Sequence, residues 1–114
     1  MTGALFVYGT LMSEAVMRSL TGRGFPRRRA TLLGYGCGVS DAGYPFITPR
    51  TGGHVEGLLV EGLDAESLRR LDRYEDEGRL YLRRSVEVLA DGGRIACDTY
   101  VGNLAVLRPV ATAG

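Results

Sequence analysis

Lysine is absent from this 114-residue chain, histidine occurs once and cysteine twice. All 14 basic residues are therefore arginine, which reads as a GC-rich coding bias and carries no mechanism. Cys37, Cys97 and His54 lie far apart and match no metal-ligand spacing, so no metal site is expected. Two lone thiols read as buried small hydrophobes rather than as a disulfide. No apolar stretch approaches the roughly 20 residues that a membrane-spanning helix needs, so no membrane partner is expected. The N-terminal apolar run is short and has no basic lead, which argues against a signal peptide and makes a cytoplasmic home the default. A formal net charge of +1 lacks the basic surplus of a dedicated nucleic-acid binder. Phosphate-loop, dinucleotide and nucleophile-elbow patterns are also missing.

With 45% hydrophobic residues, the chain is expected to fold as one domain over residues 1–114. A strand is predicted over 4–8 and a helix over 13–20, with Val16, Met17 and Leu20 on one face. Thr21 to Pro26 breaks that helix. A second strand is predicted over 29–38; the glycines at 34, 36 and 38 signal bends or close approach. Residues 40–53, punctuated by Pro45, Pro49, Gly52 and Gly53, read as a loop whose Tyr44-Pro45-Phe46-Ile47 segment carries bulk to line a pocket. A third strand follows over 54–62, with Gly57 marking a bulge or close approach, and a helix over 65–75 capped by Asp64. Strands over 81–90 and 94–101 are joined by an Asp91-Gly92-Gly93 hairpin turn, with Val86 and Val88 facing Ile95 and Tyr100. The tail after 103 is expected to be partly ordered. Five strands and two short helices imply an α+β or mixed fold on a strongly curved sheet.

Two places carry chemistry. The strand Ala4-Leu5-Phe6-Val7 runs into Tyr8-Gly9-Thr10-Leu11 and then, at Ser13, into the first helix. Gly9 opens backbone conformations closed to other residues, and Ser13 or Thr10 can cap the helix. A turn of this kind points free N–H groups at one place and suits a carboxylate, a phosphate or an oxyanion. Geometry alone favours the plain reading, in which the turn only connects the strand to the helix. In the second helix, Leu68 and Leu71 define the core stripe, which extended by four residues lands on Glu75, with Asp72 at its edge. Burial and the negative helix end raise a carboxylate pKa, as a proton-shuttling base requires. The competing reading ends the helix at Tyr74 and leaves Glu75 in water or paired with Arg79, Arg83 or Arg84. Arg27-Arg28-Arg29 reads as a solvated strand entry with snorkelling stems, or as a contact for an anionic partner. His54, at a strand start, reads as structural.

The ordered set Tyr8-Gly9-Thr10-Leu11, Val55 to Val60, Leu71-Asp72-Arg73-Tyr74-Glu75 and Tyr81 to Val88 resembles the γ-glutamylcyclotransferase-like superfamily. The similarity is greatest to its short branch of γ-glutamylamine cyclotransferases and AIG2-like proteins, and it covers about residues 4–101. It implies a small, mixed, barrel-like sheet with flanking helices, a cavity between the Tyr8–Leu11 loop and an essential Glu at Glu75, and no cofactor or metal. It also implies a small-molecule γ-glutamyl partner whose α-amine attacks its own γ-carbonyl to release 5-oxoproline. Glu75 is then the expected base and acid, and Tyr8, Gly9, Thr10, Leu11, Tyr44 and Tyr81 the expected substrate contacts, with Tyr35 and Tyr100 further candidates. The leaving amine stays open, a bacterial biosynthetic intermediate included. One departure is that Asp76-Glu77 stand between Glu75 and Gly78, where family members often place Gly directly after the Glu. The rival expectation is a binding module on the same fold without turnover.

Overall fold

The computed structural model describes residues 3–41 and 43–108. Strand β1 (Gly3–Val7) leads through a 3-10 turn (Thr10–Met12) into helix α1 (Glu14–Thr21). Strands β2 (Arg27–Val39) and β3 (Pro45–Leu63) precede helix α2 (Ala65–Tyr74), and β4 (Tyr81–Ala90) and β5 (Gly93–Gly102) complete the order. The five strands close a barrel in the order β1-β3-β2-β4-β5. All neighbours are antiparallel except β1 and β5, which run parallel through Leu5↔Asp98 and Phe6↔Thr99. The barrel-like mixed sheet with flanking helices is thus the observed architecture. Among the described residues no helix is long and apolar enough to cross a membrane.

Alternation along β1 divides the core in two. Phe6 points into the barrel with Ala30, Leu32, Ile47, Val55, Leu59 and Val88. Leu5 and Val7 point the other way, against Met17 of α1 and Leu71 of α2. Both helices are capped as their sequences predict. The Ser13 side chain accepts from Val16 N, Asp64 from Ser67 N, and Gly22 closes α1 in the left-handed region at φ 78°. Gly57 is a close-approach position: a Cβ there would fall on the Val7 carbonyl oxygen and lie 2.8 Å from the Phe6 ring.

The predicted loop over 40–53 is largely strand. β3 begins at Pro45 and continues unbroken past His54, pairing Val39↔Pro45 and Tyr35↔Pro49 across a register shift at Gly34 (φ 82°). The prolines are tolerated because the ribbon has no third strand there, so an outward imide nitrogen leaves no ladder bond unmade. The hairpin at Asp91-Gly92 forms as expected, both residues at positive φ (50° and 76°), a two-residue turn matched to strand twist. Val88 faces Ile95, but Tyr100 faces Arg83 rather than a valine. The tail packs Leu107 into the core at 2% exposure; its last six positions, 109–114, lie outside the described residues. Both cysteines are free, Cys37 exposed and Cys97 buried.

Candidate active site

Between the end of β1, the end of α2 and the tip of the β2–β3 ribbon lies a cavity of about 440 Å³. Its floor comes from Phe6, Val7 and Tyr8, one wall from Gly9, Thr10 and Leu11, and another from Tyr74 and Glu75. Gly43, Tyr44, Pro45, Leu80, Tyr81 and Tyr100 complete it. Every residue singled out from the sequence for the site therefore borders one space. Of the two further tyrosines, Tyr100 belongs to the cavity and Tyr35 does not, since Tyr35 packs against the barrel interior.

Gly9 sits at φ −123° and ψ −133°, off both the extended and the helical ranges, and so turns the chain from β1 into the 3-10 turn. The first hydrogen bonds of that turn are Met12 N to Gly9 O (3.0 Å) and Ser13 N to Thr10 O (3.1 Å). The N–H groups of Gly9, Thr10 and Leu11 precede them and are left without an intrahelical acceptor, as at any helix start. Arg27 fastens the far end of the turn by donating to the Met12 carbonyl. Arg28 lies between Glu61 and Asp91, and Arg29 is exposed. Two of the three consecutive arginines are thus spent within the fold, unlike the solvated entry or anionic contact expected of the run.

Glu75 is the C-cap of α2, whose last helical residue is Tyr74. The helix stops where the competing reading put its end, yet Glu75 does not turn to water: it is half-buried on the cavity wall. None of the arginines expected to compete neutralises it among the described residues. Arg79 pairs with Asp76, and Arg83 with Asp72 and Asp98. Burial, with no compensating cation, pushes the Glu75 carboxyl up to about 7. Asp76 takes the left-handed conformation itself at φ 53°, so the turn after Glu75 has the geometry that glycine would adopt freely.

The phenols around Glu75 are locked. Tyr8 OH donates to the Tyr100 carbonyl, and Tyr81 OH donates to the Pro45 carbonyl at 2.6 Å. Burial and the nearby Glu75 raise both, Tyr81 to about 12, so they stay neutral. Tyr100 OH donates to Asp72 Oδ1 at 2.6 Å. Tyr74 was not singled out from the sequence. It is 46% exposed and its hydroxyl lies 3.1 Å from Thr10 Oγ1, bridging α2 to the turn across the cavity edge. Only the ring position one residue before Glu75 hinted at it. Among the described residues no three His, Cys, Asp or Glu side chains gather as metal ligands would, and His54 is exposed on β3, outside the cavity.

Comparison with known proteins identifies a family. The family described as gamma-glutamyl cyclotransferase, AIG2-like, matches residues 5–112. The chain belongs to that family. It is 33% identical over 100 residues to AIG2-like protein C of Arabidopsis thaliana, covering 85% of this chain and 57% of that protein. The chain thus spans a little over half the length of that curated relative. Among solved structures, an Arabidopsis thaliana protein determined in solution superposes with a TM-score of 0.80 at 27% identity, over 89% of this chain and 68% of its own. A structure named gamma-glutamyl cyclotransferase superposes with a TM-score of 0.83 over 96% of this chain and 70% of its own. At 17% identity the latter is a likeness of fold alone.

Proposed function

We propose that the protein is a γ-glutamylcyclotransferase-type enzyme that releases 5-oxoproline and a free amine from a γ-glutamyl amide. The observation that carries this reading is Glu75, a half-buried carboxyl without an ion partner among the described residues, raised to about 7, across one cavity from Gly9, Thr10 and Leu11. A volume of about 440 Å³ lies in the range of small-molecule sites.

In this mechanism the substrate supplies both reacting groups, so the protein's work is to fold it and to move protons. Glu75 takes a proton from the α-ammonium, and the freed amine attacks the γ-carbonyl carbon to form the new C–N bond. As the original amide C–N bond breaks, Glu75 returns that proton to the leaving nitrogen. The extra proton still on the new ring nitrogen passes to the released amine, which departs as its ammonium ion. No water is consumed. Backbone N–H groups of Gly9, Thr10 and Leu11 hold the α-carboxylate or the developing oxyanion. Tyr8 and Tyr81 have committed their protons to carbonyls, which leaves their oxygen lone pairs to accept from the ammonium. Tyr44, 46% exposed at the ribbon tip, covers the leaving-group side. A filled cavity would favour a binding module without turnover; the space that Glu75 and Gly9 share is open, which supports turnover.

Purified protein is assayed for 5-oxoproline against a panel of γ-glutamyl amides, with Glu75→Gln as the partner. The wild type is expected to turn over at least one member, and the variant to lose activity by about 10²-fold or more. Undiminished release by Glu75→Gln ends the assignment of the base. Binding without release in the wild type ends the assignment of an enzyme.

A further inference from the structure

Among the described residues no hydrogen bond or ion pair holds the Glu75 carboxyl itself, so its place over the cavity depends on where the last turn of α2 is pinned. That turn is pinned through Asp72, one helical turn earlier. Asp72 Oδ1 accepts from Arg83 Nε (2.9 Å) and from Tyr100 OH (2.6 Å), and Oδ2 accepts from Arg83 Nη2 (3.1 Å). Arg83 and Tyr100 are opposite each other in the β4–β5 ladder, so one cross-strand pair grips one helix carboxylate. The remaining arm of Arg83 reaches Asp98 Oδ2 at 2.7 Å, and Ser85 Oγ lies 3.3 Å from Asp98 Oδ1. The same strand also takes up the chain beyond Glu75: Arg83 N donates to Glu77 Oε2, and Glu77 N to the Asp72 carbonyl. Arg83 and Asp72 do not border the cavity.

We infer that Arg83 is a positioning residue: through its two-pronged grip on Asp72 it holds the end of α2 where Glu75 faces the cavity. The inference rests on the reading of Glu75 as the proton carrier. A two-pronged guanidinium–carboxylate pair fixes orientation as well as distance, which a single-point contact does not. The side chains of the pair are 30% and 21% exposed, so the geometry is sheltered from competing water. The titratable groups around Glu75 are Tyr8 from β1, Tyr81 from β4, Tyr100 from β5, Tyr44 from the ribbon tip, and Tyr74 and Asp72 on its own helix. Burial raises Tyr8, Tyr81 and Tyr100, which stay neutral through the working range.

The test compares wild type with Arg83→Met by NMR titration of the Glu75 side-chain carboxyl carbon, and by kcat and KM on the best amide of the panel. Losing the cation alone would raise the Glu75 midpoint, because a nearby positive charge favours the carboxylate. Losing the position lets water reach the carboxyl, so the midpoint is expected to fall from about 7 toward the ordinary 4.5. With it, kcat falls by about 10- to 100-fold, the scale of a small misplacement, while KM changes little. A midpoint that stays or rises overturns the inference. If Arg83→Met does not fold, Arg83→Lys keeps the charge and loses the fork, and its midpoint is expected to fall part of the way; an unchanged midpoint there overturns the inference equally. If the wild type releases no 5-oxoproline, the cyclotransferase reading fails, and the NMR titration still decides whether Arg83 places Glu75.

Discussion

At the scale of single residues, Glu75 connects the chemistry to the stability of the fold. Burial lifts its carboxyl from the ordinary 4.5 to about 7, so the folded state prefers the neutral form and binds a proton that the unfolded chain releases. Stability from this group is complete below about pH 4.5 and is lost as pH climbs through about 7. Glu75→Gln has no charge to bury and escapes that loss. Thermal melts below about pH 5 and above about pH 8 are expected to give the variant an advantage over wild type that is larger at the higher pH. An advantage equal at both would mean that Glu75 is hydrated in the folded state. For the proposed reaction the sign is opposite: the base must be ionised, so kcat/KM is expected to rise with pH up to about 7 and then level.

At the scale of elements, the approach of β1 to β3 sets where the Tyr8–Leu11 turn emerges. Gly57 permits it. The position pairs with Ala30 of β2 and has no room for a side chain, since a Cβ would meet the Val7 carbonyl and the Phe6 ring. Gly57→Ala is expected to destabilise the protein by about 1–3 kcal/mol, as overpacking does, measured by urea unfolding. An unchanged midpoint would show that β1 can yield without cost. This constraint is legible in the sequence as a glycine inside an otherwise apolar strand pattern, as are the caps at Ser13 and Asp64. The strand character of residues 45–53 is not legible. Prolines and glycines signal a loop locally, and only the pairing of Pro45 with Val39 and Pro49 with Tyr35 shows that a two-stranded ribbon accommodates them.

At the scale of the whole molecule, the first and last strands meet in a short parallel pair, β1 with β5. Thr99 is fully buried there, and its hydroxyl donates to the Phe6 carbonyl at 2.9 Å. Thr99→Val keeps the shape and removes that bond, and is expected to cost about 1 kcal/mol in the same urea measurement. No loss would mean that side-chain packing alone closes the barrel. Closure also brings Tyr100, the neighbour of Thr99, against Tyr8 and Asp72, joining the two ends of the chain at the cavity.

The amino-acid sequence by itself determined the local elements and their caps, the apolar stripe that runs onto Glu75, and the glycine turn after the first strand, because each rests on neighbours a few residues away. It also carried the ordered motifs that resemble the family to which the chain belongs. Only the tertiary structure decided that Glu75 is free of its arginine rivals. Asp72 and Asp98 engage Arg83, and Asp76 engages Arg79; two of these three competing acids act through the fold. Tyr74 likewise joins the site only because α2 ends beside Thr10. Periodicity tells which face of a helix is buried. Which distant turn meets the end of that helix is set by the closing of the barrel, and that contact is long-range.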